Sequence, residues 1–196
     1  MYRSPDERNS SGEVLETVER ARIEADGTLS AWQPASSLNV GRSEFVAFQA
    51  NGYLYVLGGE TQQNGYWISS DIIERASINP DGSIGAWQIV GIMPVGRHSF
   101  AAEYVTGDLY VMGGNTVGNP TTFHNSVDKT QVRPDGSIGS WQSMPSMLVP
   151  RHLYGAIAVD SYLYVIGGYN QTIGGLKSIE RATITIDTTP PMWLSR

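Results

Sequence analysis

The 196-residue chain contains no cysteine. That excludes a disulfide framework, a thiolate metal site and a thiol nucleophile. It leaves the compartment open, because large secreted domains often lack disulfides. Basic residues are scarce: 13 Lys and Arg against 19 Asp and Glu give a formal charge of -6, and no basic run occurs. Nucleic-acid binding, which needs clustered cations to neutralise phosphates, is therefore not expected. No apolar run approaches the roughly 18–20 residues of a membrane-spanning helix. The opening MYRSPDERNSSGEV holds no apolar core and does not read as a signal peptide. No segment sustains a helical period, so almost no helix is expected.

What the chain does have is repetition. A tryptophan is followed ten residues later by arginine (Trp32/Arg42, Trp87/Arg97, Trp141/Arg151), and that arginine is followed sixteen residues later by the first of two glycines (Gly58, Gly113, Gly167). A second shared segment precedes each tryptophan: VERARIEADGTLSAW (18–32), IERASINPDGSIGAW (73–87), VDKTQVRPDGSIGSW (127–141) and IERATITIDTTPPMW (179–193). The tryptophans lie 55, 54 and 52 residues apart, the shortening falling in the loop after the glycine pair. Fixed spacing of this kind marks a repeat array.

Each repeat reads as four short strands. Strand one (45–49, 100–105, 154–159) carries Ala47, Ala102 and Ala156 at matched positions, as close neighbours require. Strand two, LYVLGG, LYVMGG or LYVIGG, is apolar at successive positions, which predicts burial on both faces. Strand three alternates apolar with polar, as a half-exposed strand should. It is followed by Asp26-Gly27, Asp81-Gly82 or Asp135-Gly136, and Asp-Gly favours a tight hairpin turn. Strand four begins at the tryptophan.

Four antiparallel strands in a repeat of this length predict a propeller blade. The glycine pair closing an apolar strand, the tyrosine three residues before it (Tyr55, Tyr110, Tyr164) and the distant tryptophan resemble the kelch repeat family. The Asp-Gly-Ser-Ile-Gly-x-Trp wording is similar to kelch-type repeats of bacterial surface and secreted proteins, which implies an extracellular or cell-surface setting. One departure is Arg-Ala or Lys-Thr in strand three, where kelch repeats often carry Tyr-Asp. The resemblance implies an all-β kelch-type propeller segment over residues 1–196, with an outer half blade at 14–36 and full blades at 43–90, 98–145 and 152–196. Kelch rings generally hold six or seven blades. The expectation is thus the C-terminal part of a longer propeller, the rival being a chain that closes its ring with other copies of itself. An open arc would expose apolar faces and strand edges. Asp187 to Pro191 replaces the Asp-Gly turn in the last repeat and reads as a variant turn.

Arg42, Arg97 and Arg151 are the leading candidate ligand-binding residues. Each precedes the innermost strand, which in a propeller places it at the mouth of the central channel. Converging guanidiniums would grip carboxylate or phosphate, and in kelch adaptors of ubiquitin ligases arginines at this offset hold acidic peptides. Recurrence in every repeat favours the structural alternative, an arginine satisfying loop carbonyls between blades. His98 and His152 follow two of the arginines, with Ser43 in the third place, and join the candidate channel mouth; a structural role for them outweighs metal binding. Tyr66, Trp67, Phe123 and Tyr169 lie in variable loops and are candidate ligand contacts. Asn79, Asp81 and Ser83 invite a calcium reading, but Glu24 and Arg133 at the first position of the other copies break the ligand pattern. The four repeat tryptophans read as wedges between blades. The Glu-Arg pairs of strand three (Glu19/Arg20, Glu74/Arg75, Glu180/Arg181) read as cross-strand or solvated groups with little energy at stake.

No complete catalytic set, metal site or cofactor motif emerges. The expected function is a non-catalytic binding or scaffolding module for a protein or glycan ligand, an anionic one if the arginines take part, with other copies or further blades as structural partners. The alternatives are a carbohydrate-active kelch enzyme of the sialic-acid mutarotase type, and an oligomeric structural ring. A copper oxidase of the galactose oxidase type is excluded, because its tyrosine-cysteine link needs a cysteine.

Overall fold

The computed structural model describes residues 14–118 and 120–184. Among these there is no helix. The chain forms β1 (Val18–Arg20), β2 (Gln33–Ala35), β3 (Val46–Ala50), β4 (Tyr53–Leu57), β5 (Glu60–Gln63), β6 (Tyr66–Ser69), β7 (Ile72–Ser77), β8 (Gln88–Ile92), β9 (Ala101–Val105) and β10 (Asp108–Met112). It continues with β11 (Asn115–Thr116), β12 (Thr122–Phe123), β13 (Val127–Gln131), β14 (Gln142–Met144), β15 (Gly155–Val159), β16 (Tyr162–Ile166), β17 (Tyr169–Asn170), β18 (Gly174–Gly175) and β19 (Ile179–Thr183).

Two four-stranded antiparallel sheets, β3-β4-β7-β8 and β9-β10-β13-β14, are complete blades. A third sheet has the order β15-β16-β19, and β1 pairs with β2 alone. Strand four starts at the glutamine after the tryptophan, one residue later than the sequence pattern suggests. The variable polar loops carry two-stranded ribbons, β5-β6, β11-β12 and β17-β18. Their lengths differ between copies, which hides them from a repeat comparison.

The apolar second strands of the two complete blades are buried on both faces, as their composition demands: Val56 is 4% exposed between Tyr55 and Leu57 at 0%, and Val111 1% between Tyr110 and Met112 at 3% and 2%; in the third, Ile166 is exposed. The core lies between blades rather than within one. Tyr55, Leu57, Ile73 and Met93 of one blade pack on Leu109, Val111 and Val132 of the next. Tyr110, Met112 and Val127 pack in turn on Leu163 and Val165. Trp87 wedges against Leu38 and Val56, and its Nε1 donates to the Ser36 carbonyl at 2.8 Å. Trp141 Nε1 donates likewise to Ile92 O at 2.8 Å. Trp32, by contrast, is 60% exposed. Trp193 and the Asp187 to Pro191 turn lie outside the described residues.

Each Asp-Gly turn is closed locally. Asp81 Oδ1 accepts from the Ser83 amide at 2.9 Å and its hydroxyl at 2.6 Å, and Asp26/Thr28 and Asp135/Ser137 repeat this. These bonds, side-chain first for Asp81, hold its carboxyl below the ordinary carboxylate range. The next residue, Gly136, has φ +79 and sits against Arg75 and Tyr53 of the preceding blade, so it must be glycine on both counts. Arg75 stacks 4.4 Å from the Tyr53 ring centre and donates to Asp135 O at 2.8 Å. Strand-three arginines thus hold the outer turn of the following blade.

Candidate functional site

The three repeated arginines are the largest fully buried side chains among the described residues: Arg42 is 2% exposed, Arg97 0% and Arg151 0%. Each guanidinium turns inward. Arg42 Nη1 donates to Gly58 O at 2.6 Å and Ile72 O at 3.1 Å, while Nη2 meets Glu74 Oε1 at 2.6 Å. Arg97 reaches Gly113 O and Ser126 Oγ, each at 3.1 Å, and Asp128 Oδ2 at 2.9 Å. Arg151 reaches Gly167 O at 2.8 Å and pairs with Glu180. The carboxylates extend the clasp: Glu74 Oε2 accepts from both the backbone and side-chain nitrogens of Asn39, in the preceding loop, at 2.8 Å. Burial pushes the Arg42 and Arg97 guanidiniums down, and the paired carboxylates oppose it.

For the arginines the geometry fits the structural alternative, and the reading of the strand-three acids changes. The arginines do not line a channel mouth with free guanidiniums; buried carboxylates and glycine carbonyls use them up. Glu74, Asp128 and Glu180 of strand three are not solvated groups but the partners of Arg42, Arg97 and Arg151, whereas Glu19 on β1 is exposed. The glycine pair is tied into the same joint. Gly114 has φ +81, and a Cβ there would stand 2.7 Å from the His98 carbonyl oxygen and 2.5 Å from Phe100 Cβ.

Above the clasps the backbone passes from blade to blade. The residue two places after each arginine, Glu44, Ser99 or Leu153, has φ near the left-handed region at 54, 50 and 51. The Ser99 amide donates to Glu44 O at 3.0 Å, and the Leu153 amide to Ser99 O at 3.1 Å. Non-glycine residues held at positive φ carry local strain that the surrounding structure must hold, and such residues cluster at functional sites. Here they form the floor of a cleft of about 430 Å³ whose walls include Glu60, Trp67, His98, Asn115, Phe123 and His152.

This cleft gathers several of the sequence candidates and excludes others. His98, His152, Trp67 and Phe123 line it. Tyr169 stands behind, 45% exposed, its ring 5.6 Å from that of His152. Tyr66 is 75% exposed on the ribbon next to Trp67 and is not part of the wall. His98 is held at both ring nitrogens, by Asn115 Nδ2 at 2.8 Å and Ser69 Oγ at 2.9 Å. With Asn115 donating to Nε2, the Nδ1 proton points to Ser69. Phe123 meets the His152 ring edge to face at 5.1 Å. Burial, then the neighbouring His98, lowers the His152 pKa, with Glu44 opposing. Two buried polar atoms of this wall, Asn115 Oδ1 and His152 Nε2, have no hydrogen-bond partner. Among the described residues no group of three His, Cys, Asp or Glu could hold a metal ion. Sequence reasoning missed Glu44, Ser99, Leu153, Glu60 and Asn115. The first three share only an offset from the arginine, not a residue type.

The stacked four-stranded sheets, the inter-blade arginine clasps and the glycine-terminated second strands define the chain as a run of β-propeller blades of the kelch type. Its repeats are similar to those of the kelch family. The Kelch motif model matches residues 150–181. Kelch-like protein 15 of Danio rerio is 26% identical over 152 residues, covering 73% of this chain and 24% of the relative. Kelch repeat and BTB domain-containing protein 12 of Homo sapiens is 28% identical over 174 residues, covering 80% and 26%. Beta-scruin of Limulus polyphemus is 24% identical over 183 residues, covering 92% and 19%. The chain thus spans about a quarter or less of the length of these relatives. A solved structure, that of YjhT, superposes with TM-score 0.69 at 12% identity, over 89% of this chain and 60% of that one. This likeness shows the fold.

Proposed function

We propose that the chain is a protein-binding module and that the cleft floored by Glu44, Ser99 and Leu153 takes the partner. The observation that carries this reading is the pair of unsatisfied buried atoms, Asn115 Oδ1 and His152 Nε2, set beside the aromatic walls of Trp67 and Phe123. A buried polar atom without a partner is costly. A segment that donated to Asn115 Oδ1 and supplied a donor or acceptor to His152 Nε2 while covering the aromatic rings would offset that cost and bury apolar area. One relative, named for kelch repeats and a BTB domain, fits a recognition role. The lining ionisable groups are two carboxylates and two histidines, so the reading carries no preference for an anion. The test compares proteins captured by the wild-type chain and by a Trp67→Ala, Phe123→Ala variant with matched melting temperature. Loss of specific captured species in the variant is expected; an unchanged set would refute the cleft as the site.

A second reading, assembly into a larger ring, rests on a separate observation. Ile166 and Ile179 of the last blade are 47% and 64% exposed, whereas their counterparts Leu57 and Ile73 are 0% exposed beneath the next blade. Light scattering across a concentration series tests it. A discrete higher mass, lost on Ile166→Asp, is expected for assembly; a monomer at all concentrations would refute it.

A further inference from the structure

The layer of the molecule just above the arginine clasps is built from two residues per blade. One follows the arginine and the other follows the glycine pair. Backbone bridges join them: Ser43 with Glu60, His98 with Asn115, His152 with Tyr169. Gly58, Gly59, Gly113 and Gly114 all have positive φ, which ends the buried second strand and brings Glu60 and Asn115 to the cleft wall. The place after the glycine pair carries no fixed residue type, being Glu60, Asn115 or Tyr169, so the fold does not dictate what stands there.

The wall is rich in acceptors and poor in donors. Glu44 and Glu60 bring two carboxylates, and Asn115, 7% exposed, has an Oδ1 that no donor reaches. The donors with assigned partners are spent on the wall itself. Ser99 Oγ donates to Glu44, Asn115 Nδ2 to His98 Nε2 at 2.8 Å, and Thr121 Oγ1 to Gly118 O at 3.4 Å. A carboxylate carries about four acceptor positions, so Glu44 and Glu60 can accept a further donor beside the bonds they already make.

Charge points the same way. No lysine or arginine lines the cleft among the described residues. The three arginines below it are each paired with a carboxylate, Glu74, Asp128 or Glu180. Burial, and then the neighbouring His98, hold His152 below the ordinary histidine range, so it adds no positive charge at neutral pH. The side walls include Trp67 and Phe123, and aromatic ring faces attract a cation.

We infer that the cleft takes a positively charged side chain of the partner, the ammonium of a lysine or the guanidinium of an arginine, held by Asn115 Oδ1 and the carboxylates of Glu44 and Glu60 against the rings of Trp67 and Phe123. Such a group supplies the donor that Asn115 Oδ1 lacks and offsets the carboxylate charge at the same time. The inference rests on the cleft reading and narrows it, to the sign of ligand opposite to the one that the repeated arginines invite.

The probes are four blocked amino acids: the N-acetyl methylamides of lysine, arginine, norleucine and glutamate. Each is titrated into the isotopically labelled full chain while the Asn115 side-chain amide and Trp67 indole resonances are followed. Saturable shifts of both are expected with lysine or arginine. Affinity should fall by about tenfold or more with norleucine, which keeps the carbon chain without the charge, and further with glutamate. Glu44→Gln should weaken the cationic probe by about fivefold while resonances of the blade cores stay in place, which separates lost charge from lost folding. The comparison of the four probes on the wild-type chain needs no variant. Norleucine or glutamate binding as tightly as lysine and arginine would overturn the inference and leave the cleft as a site of another preference. No saturable shift with any probe would also overturn it. The cleft reading itself stands or falls separately, on capture by the Trp67→Ala, Phe123→Ala variant, which does not depend on the ligand's charge.

Discussion

Replacing Arg97 with alanine removes the centre of a blade joint. Its guanidinium is wholly buried and donates to Gly113 O, Ser126 Oγ and Asp128 Oδ2. The substitution strands the Asp128 carboxylate, 8% exposed, with a Ser143 hydroxyl at 3.4 Å as its remaining side-chain donor. Breaking one partner out of a buried pair costs about 3–5 kcal/mol, because the other charge stays desolvated. For a chain of this size each kcal/mol moves the melting temperature by about 2–4 °C, so a fall of about 6–20 °C is expected. Lysine should rescue little, since an ammonium cannot fork between a carboxylate and a carbonyl. The double variant Arg97→Met, Asp128→Leu should recover much of the loss, because no unpaired charge remains. Urea unfolding of the four proteins at one pH measures this directly. A loss below about 1 kcal/mol for Arg97→Ala would refute the clasp and return the arginine to the ligand-binding role that its position invites.

Three further outcomes follow from the same geometry. Gly136→Ala should destabilise more than Gly27→Ala in thermal melts: both need positive φ, at about 1–2 kcal/mol, but of the two only a Cβ at position 136 would meet neighbours, the Arg75 guanidinium and the Tyr53 ring. His152 and His124 have pKa values lowered by burial from 6.5, so both are neutral in the fold. Their contribution is complete above 6.5 and is lost as pH falls from there through the lowered folded values; urea midpoints should decline over that window, and His152→Asn, His124→Asn should flatten the decline. Trp67→Ala should leave the unfolding free energy from urea titration within about 0.5 kcal/mol of wild type, since the residue sits on a ribbon outside the blade cores; a loss as large as that of Arg97→Ala would mean the cleft wall is structural.

The architecture was legible because the repeat fixes the period, the glycine pair and the wedge tryptophan at constant offsets. Trp87 and Trp141 sit between blades as that pattern implies. The arginine offset was equally visible, but its meaning was not. The partner acids stand about thirty residues away in another strand and alternate between glutamate and aspartate, so no local motif joins Arg42 to Glu74 or Arg97 to Asp128. The cleft was half legible. His98 and His152 follow from their neighbours, and Trp67 and Phe123 stood out as aromatics in variable segments. Glu44, Ser99 and Leu153 could not, because what they share is a backbone angle and a hydrogen-bonded handover between blades, which any side chain can accompany. The ribbons that carry Trp67 and Phe123 into the wall differ in length between copies, which is why they read as loops.

The most direct test of the functional account is site-specific photo-cross-linking. A photoreactive amino acid is placed at Phe123, in the cleft wall, and in a separate preparation at Thr28, on an exposed outer turn. The account predicts a discrete protein adduct from position 123 that is diminished by Trp67→Ala, and none from position 28. An adduct from position 28 with none from 123 would contradict it and move the binding surface from the cleft to the outer rim.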